Sequence, residues 1–261
     1  MLVASIQMSV VENDKEATIE KAVNRIRQAA GADLILLPEM WNIGFMSFDR
    51  YVPEAEGKAG PTLIALKGVA KELKVYLHTG SFVEKVESKY YNSSYLLSPQ
   101  GEVLANYHKI HLFGYNSREN EILSRGDAVV VAETPLGNFG LATCYDLRFP
   151  ELFRRMIEKG AHVFLITSAW PHPRLEHWIL LNRVRALENQ SFLVSANAAG
   201  FNRDTRFVGH SMVVDPWGSV LASAAEHDLI LRAEIDLNEV GRAREQFPAL
   251  VDRQAWLGNS V

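Results

Sequence analysis

Short apolar runs alternate with amphipathic stripes along most of this chain, and that alternation leaves few folds open. Leu34-Ile35-Leu36-Leu37, closed by Pro38, is too short for a helix and apolar at every position, the pattern of a strand buried on both faces. Before it, residues 2–8 read as a strand, and Ile19, Ala22, Val23, Ile26 and Ala30 recur at helical spacing with Gly31 as the stop. The unit repeats. A helix opened by Pro61 leads into a strand over 75–82. Strand 139–143, helix 149–159 and strand 163–167 form another, followed by a helix marked by Leu175, Trp178, Ile179, Leu181, Val184 and Leu187 and a strand over 191–196. Hairpin signals interrupt this rhythm. Segments 91–97 and 103–107 flank Ser98-Pro99-Gln100-Gly101, segments 211–214 and 219–222 flank Asp215-Pro216-Trp217-Gly218, and 229–235 adds a last strand. Hairpins interspersed with βα units fit an α/β sandwich of two mixed sheets under outer helices better than one doubly wound sheet. No linker divides residues 1–261, so one domain is expected, with 242–261, where periodicity is weak, as an extended C-terminal tail.

Composition narrows the partners. A single cysteine among 261 residues excludes an internal disulfide and a Cys-based zinc site. His108 and His111 have no further ligand close in sequence, so no metal is expected there. A net charge of −4 supplies no broad basic face for nucleic acid or anionic lipid. No apolar run approaches the ~20 residues of a membrane span, and the first residues lack a basic leader, so the reading is a cytoplasmic protein.

Ligands of open α/β sheets sit beyond the carboxyl ends of strands. Three such ends carry reactive residues: Glu39 after the buried run, Lys109 after strand 103–107, and Cys144 after strand 139–143. Each has a bland reading. A lone Cys is most often a small apolar filler, a Glu after Leu-Leu-Pro can be a solvated loop residue, and a Lys is ordinarily a surface charge. Their combination is another matter. Leu36-Leu37-Pro38-Glu39, Tyr107-His108-Lys109-Ile110-His111-Leu112-Phe113 and Thr143-Cys144-Tyr145-Asp146-Leu147-Arg148-Phe149-Pro150-Glu151 stand in the order and spacing of the nitrilase superfamily of carbon–nitrogen hydrolases, which this chain resembles. Two downstream blocks, Arg185-Ala186-Leu187-Glu188-Asn189-Gln190 and 209–218, extend the likeness.

The resemblance implies an αββα four-layer sandwich, no cofactor, a small-molecule amide substrate, and pairing into homodimers or higher homo-oligomers. It implies Cys144 as nucleophile, Glu39 as general base and acid, Lys109 as the cation that stabilises thiolate and oxyanion, and the Tyr145 backbone N–H as second oxyanion donor. The chemistry agrees. At ordinary values the proton moves from thiol to glutamate uphill by ~4 pK units, ~6 kcal/mol. A dry pocket that raises the glutamate and an ammonium that lowers the thiol would shrink the gap. A second glutamate between the Lys and Cys motifs is also implied; Glu119 aligns best, with Glu121 two residues away. Within the superfamily, Ser168-Ala169-Trp170-Pro171-His172-Pro173-Arg174-Leu175-Glu176-His177-Trp178 looks most like the ω-amidase branch, which acts on 2-oxoglutaramate. Arg148 is then placed to reach the far carboxylate of such a substrate, or else to pair with Asp146 or Glu151; Trp170 is a pocket wall or core residue. The alternatives are a deaminated-glutathione amidase, an N-carbamoyl amidohydrolase, a nitrilase, or a non-catalytic scaffold on the same fold.

Overall fold

In the computed structural model, which describes residues 1–254, the first units fold as β1 (Leu2–Gln7), α1 (Lys15–Gln28), β2 (Leu34–Leu36), α2 (Pro61–Leu73) and β3 (Tyr76–Val86). β4 (Lys89–Leu97) and β5 (Val103–His108) double back from β3, and the short α3 (Glu119–Ile122) follows. The second run is β6 (Val131–Thr134), β7 (Gly137–Thr143), α4 (Pro150–Glu158), β8 (Val163–Ser168), α5 (Leu175–Asn189) and β9 (Phe192–Asn197). The chain closes through a two-residue pair, β10 (Phe201–Asn202) and β11 (Thr205–Arg206), then β12 (Met212–Val214), β13 (Val220–Ser223), β14 (Leu229–Glu234) and α6 (Asn238–Gln246).

Two six-stranded mixed sheets result, ordered β14-β1-β2-β3-β4-β5 and β13-β12-β9-β8-β7-β6. β1, β2 and β3 are parallel to one another in the first sheet, as are β7, β8 and β9 in the second, with antiparallel strands outside them. The uniformly apolar run of β2 now has its reason. Leu34 and Leu36 pack between the sheets against Phe139, Leu141 and Leu165, whereas Ile35 and Leu37 face the layer of α1 and α2. α4 and α5 cover the outer face of the second sheet, where Phe153, Met156 and Trp178 meet Phe164 and Leu193. The architecture is the four-layer αββα sandwich.

The carboxyl ends of β2, β5, β7 and β8 gather at one edge of the sandwich. Across the gap between sheets, Thr167 Oγ1 donates to the Leu37 carbonyl (2.9 Å) and Glu39 N to the Ser168 carbonyl (3.2 Å). Loops from two separate sheets are thereby fixed to each other.

The segment expected to be a tail begins inside a helix. α6 runs over Asn238–Gln246 with Val240 and Ala243 buried. Few apolar residues mark it in sequence, because it is held largely by polar contacts: Gln190 Nε2 donates to the Ala243 and Phe247 carbonyls (3.1 and 2.6 Å), and Arg244 to Ser191 Oγ (3.0 Å). Residues 255–261 of that segment lie outside the described residues. Among the described residues no helix is long and apolar enough to cross a membrane.

Candidate active site

Glu39, Lys109, Glu119 and Cys144 meet where those strand ends converge, all of them buried. Lys109 is fully enclosed, and its ammonium donates to Glu39 Oε1 (2.8 Å) and to Glu119 Oε1 and Oε2 (3.0 and 2.9 Å). Three donors meet three acceptors. The second Glu39 oxygen accepts from Ala169 N (2.9 Å), and Glu119 Oε2 also accepts from Phe113 N (2.7 Å). Glu121, its rival in the sequence, is exposed and pairs with Arg118 instead (3.1 Å).

Asn92, on β4, went unnoticed in the sequence. Its Nδ2 donates to Glu39 Oε1 (2.9 Å) and Glu119 Oε1 (2.8 Å), bridging the two carboxylates, while its carbonyl accepts from Lys109 N (2.9 Å). No local motif marks it; only the register of β4 beside β5 brings it under the lysine.

Cys144 sits at a sharp bend between β7 and a 3-10 turn, Cys144–Arg148, with φ +48°. A non-glycine residue in that region is strained, and such strain gathers at functional bends. Asp146 secures the bend: its Oδ2 accepts from Thr143 N (2.8 Å) and Tyr107 Oη (2.7 Å), and its Oδ1 from His111 N (3.1 Å). The cysteine turn is thus tied to the Lys109 strand. The first turn of such a helix leaves the Tyr145 N–H without a helical acceptor.

Burial works against the Lys109 charge, but Glu119 and Glu39 hold its pKa well above the ordinary lysine range. Glu119 is pushed up by burial and by Glu39, with Lys109 pulling the other way. Cys144 departs from expectation. Burial and the Glu39 carboxylate drive its pKa well above the usual thiol range, and the lowering by Lys109 does not offset them. Burial and the neighbouring carboxylate thus favour the neutral thiol over the thiolate.

Over Cys144 lies a cavity walled by Phe45, Phe113, Tyr145 and Trp170, with Arg148 and Arg174 also in its lining. Arg148 pairs with neither Asp146 nor Glu151; its Nη2 lies 3.1 Å from His177 Nδ1 and its guanidinium rests 5.0 Å from the Trp170 ring. Trp170 is both core and wall, buried with Nε1 donating to the Arg174 carbonyl (2.9 Å). Arg174 was not singled out in the sequence.

A buried Glu–Lys–Cys set at the edge of an αββα sandwich defines a class, and the comparisons name it. Residues 2–245 match the carbon-nitrogen hydrolase family, and the chain belongs to that family. It is 37% identical to a 2-oxoglutaramate amidase of Paenarthrobacter nicotinovorans, covering 97% of this chain and 89% of that one. It is 35% identical to the omega-amidase NIT2 of Homo sapiens over 97% of this chain and 94% of the other. In structure it is similar to Saccharomyces cerevisiae Nit3, a member of the nitrilase superfamily, with a TM-score of 0.89 at 32% identity over 95% and 94% of the two chains.

Proposed function

We propose that this carbon–nitrogen hydrolase is an ω-amidase: it hydrolyses the terminal amide of a small carboxylate-bearing substrate, 2-oxoglutaramate or a close relative, to acid and ammonia through a thioester on Cys144. One observation carries the reading: the enclosed Glu39–Lys109–Glu119 cluster adjoins a strained, buried cysteine in the lining of an apolar cavity whose charged side chains are two arginines. The 2-oxoglutaramate amidase and omega-amidase relatives support the substrate class.

Covalent catalysis divides a difficult displacement into two easier ones. Glu39 takes the thiol proton as Sγ attacks the amide carbon, and the new oxyanion lies between the Lys109 ammonium and the Tyr145 N–H, a donor typically worth ~3–4 kcal/mol. Glu39 gives its proton to the nitrogen, the C–N bond breaks, ammonia departs and the thioester remains. Water then loses a proton to Glu39 and attacks the thioester, the C–S bond breaks, and the sulfur recovers the proton. Glu119 and Asn92 hold Lys109 and Glu39 in register through both halves. Arg148 takes the substrate carboxylate while Trp170 forms the wall beneath it. The working unit is one carbon–nitrogen hydrolase domain, assembled as a homodimer or larger homo-oligomer in the cytoplasm.

The test is ammonia release from 2-oxoglutaramate by the wild type and by Cys144→Ala. Wild-type turnover is expected, with loss of at least about 10⁴-fold in the variant, on the scale of removing a nucleophile, and with Tm near wild type. Substantial turnover by Cys144→Ala, or none by the wild type, overturns the reading.

A further inference from the structure

The cavity over Cys144 contains two guanidinium groups. Arg148 lies over the rings of Trp170 (5.0 Å) and Tyr145 (5.9 Å), and Arg174 over those of Tyr115 (5.3 Å) and Phe113 (6.0 Å). Among the described residues neither makes an ion pair, although most other arginines do, and the cavity lining holds no carboxylate. A guanidinium held over aromatic rings and outside any ion pair keeps N–H groups available for an anion; on Arg148 one position, Nη2, lies 3.1 Å from His177 Nδ1. The Arg174 backbone is anchored as well: its carbonyl accepts from Trp170 Nε1 (2.9 Å) and its N–H donates to the Pro171 carbonyl (3.3 Å). A second cation, tied through backbone to the cavity wall and set over a different pair of rings, is a built feature of this site.

Two half-buried cations in a narrow apolar cavity reinforce each other's potential, because low-dielectric walls focus the field. Such a cavity draws in a carboxylate and repels an ammonium. From this we propose that Arg174 is a second substrate anchor: with Arg148 it holds the carboxylate end of the ω-amide and turns away amides that carry an α-ammonium group. The assignment rests on the ω-amidase reading and deepens it, since it makes the selection between a 2-oxo acid amide and the matching α-amino acid amide a property of paired cations. The competing role is packing. Through Phe113 and Tyr115, Arg174 also props the loop whose Phe113 N–H reaches Glu119. An anchor acts on KM for anions, whereas a prop acts on kcat for every amide.

Steady-state ammonia release separates the two, measured for wild type, Arg174→Gln and Arg174→Lys with 2-oxoglutaramate, glutamine and neutral butanamide. Thermal unfolding of each variant serves as the folding control. Arg174→Gln is expected to raise KM for 2-oxoglutaramate about 10–100-fold, the scale of a lost charge-assisted hydrogen bond, with kcat little changed. Butanamide kcat/KM should move less than about threefold, Arg174→Lys should fall between, and the 2-oxoglutaramate to glutamine preference should narrow in Arg174→Gln. Equal losses on 2-oxoglutaramate and butanamide, in a wild type that prefers the anion, overturn the Arg174 assignment alone. A wild type that prefers butanamide overturns the carboxylate reading itself, and the anchor with it.

Discussion

At the scale of single residues, the centre of this molecule is a charge problem with a chemical use. Two carboxylates, Glu39 and Glu119, share one enclosed ammonium, and Asn92 bridges them with its amide. Removing either sign alone would strand buried charge, which costs several kcal/mol. Cys144 sits in this field with its pKa raised first by burial and then by the Glu39 charge. Glu39→Gln removes that charge and leaves Lys109 facing the sulfur. Hydrolysis should fall at least about 10³-fold, the upper part of the range for general acid–base catalysis. Alkylation of Cys144 by iodoacetamide, followed by mass spectrometry across pH, should instead set in at lower pH. The sign follows from the charges: with one fewer anion nearby the thiolate is less disfavoured, so the thiol titrates lower. An unchanged or higher midpoint would show that Glu39 does not control the thiol. Motif order made Glu39, Lys109 and Cys144 legible in the sequence. Asn92 was not, because nothing in Tyr91-Asn92-Ser93 distinguishes a bridging amide from an ordinary strand residue until β4 is placed beside β5.

Among the elements, the delivery of Glu39 depends on an irregularity in β3. Pairing of β3 with β4 shifts register between His78 and Ser81, and Gly80 lies in the gap with φ +63°. The Glu39 loop is gripped there: Ser81 N donates to the Pro38 carbonyl (3.0 Å), Ser81 Oγ accepts from Met40 N (3.1 Å) and Trp41 Nε1 donates to the Thr79 carbonyl (2.8 Å). A Cβ on Gly80 would stand 2.2 Å from the Pro38 oxygen and 2.7 Å from Trp41 Cδ1. Backbone cannot yield there without moving Glu39. Gly80→Ala is therefore expected to lose about 3 kcal/mol or more in urea unfolding and most of its kcat. A variant of wild-type stability and activity would show that the loop tolerates displacement. Sequence periodicity gives a strand over 75–82 that runs through this bulge, because Gly80 within His78-Thr79-Gly80-Ser81 is the sole local sign of a register shift that only the pairing with β4 defines. It also stopped short of residue 86, where exposed Lys85 and Val86 carry the hairpin beyond the core. α6 escaped for the related reason that polar docking, not an apolar stripe, holds it in place.

For the molecule as a whole, stacking two sheets between helical layers buries groups that have nothing to do with amide chemistry, and His78 is the clearest. It shares β3 with Gly80, is fully enclosed, and its Nδ1 accepts from Gly80 N (3.3 Å). Burial alone pushes its pKa down to about 3. Alternating strand and helix signals mark two sheets under outer helices but not this burial, because depth within a layered core depends on both sheets at once. The consequence belongs to the global folding equilibrium. Between about pH 6.5 and about 3 the unfolded chain takes up a proton at His78 that the folded chain refuses, so stability is full above about 6.5 and declines as pH falls through that window. Each pH unit inside the window is worth about 1.4 kcal/mol, so from pH 7 to pH 5 His78 should account for roughly 2 kcal/mol of lost stability. His78→Gln keeps a neutral polar side chain and removes the titration. Urea unfolding at pH 7 and pH 5 should show the variant losing about 2 kcal/mol less than the wild type over that interval, whatever its stability at pH 7. Equal losses in the two proteins would mean that His78 accepts its proton in the folded state, and that the layer between the two sheets, which His78 shares with Leu36, admits more water than its packing suggests.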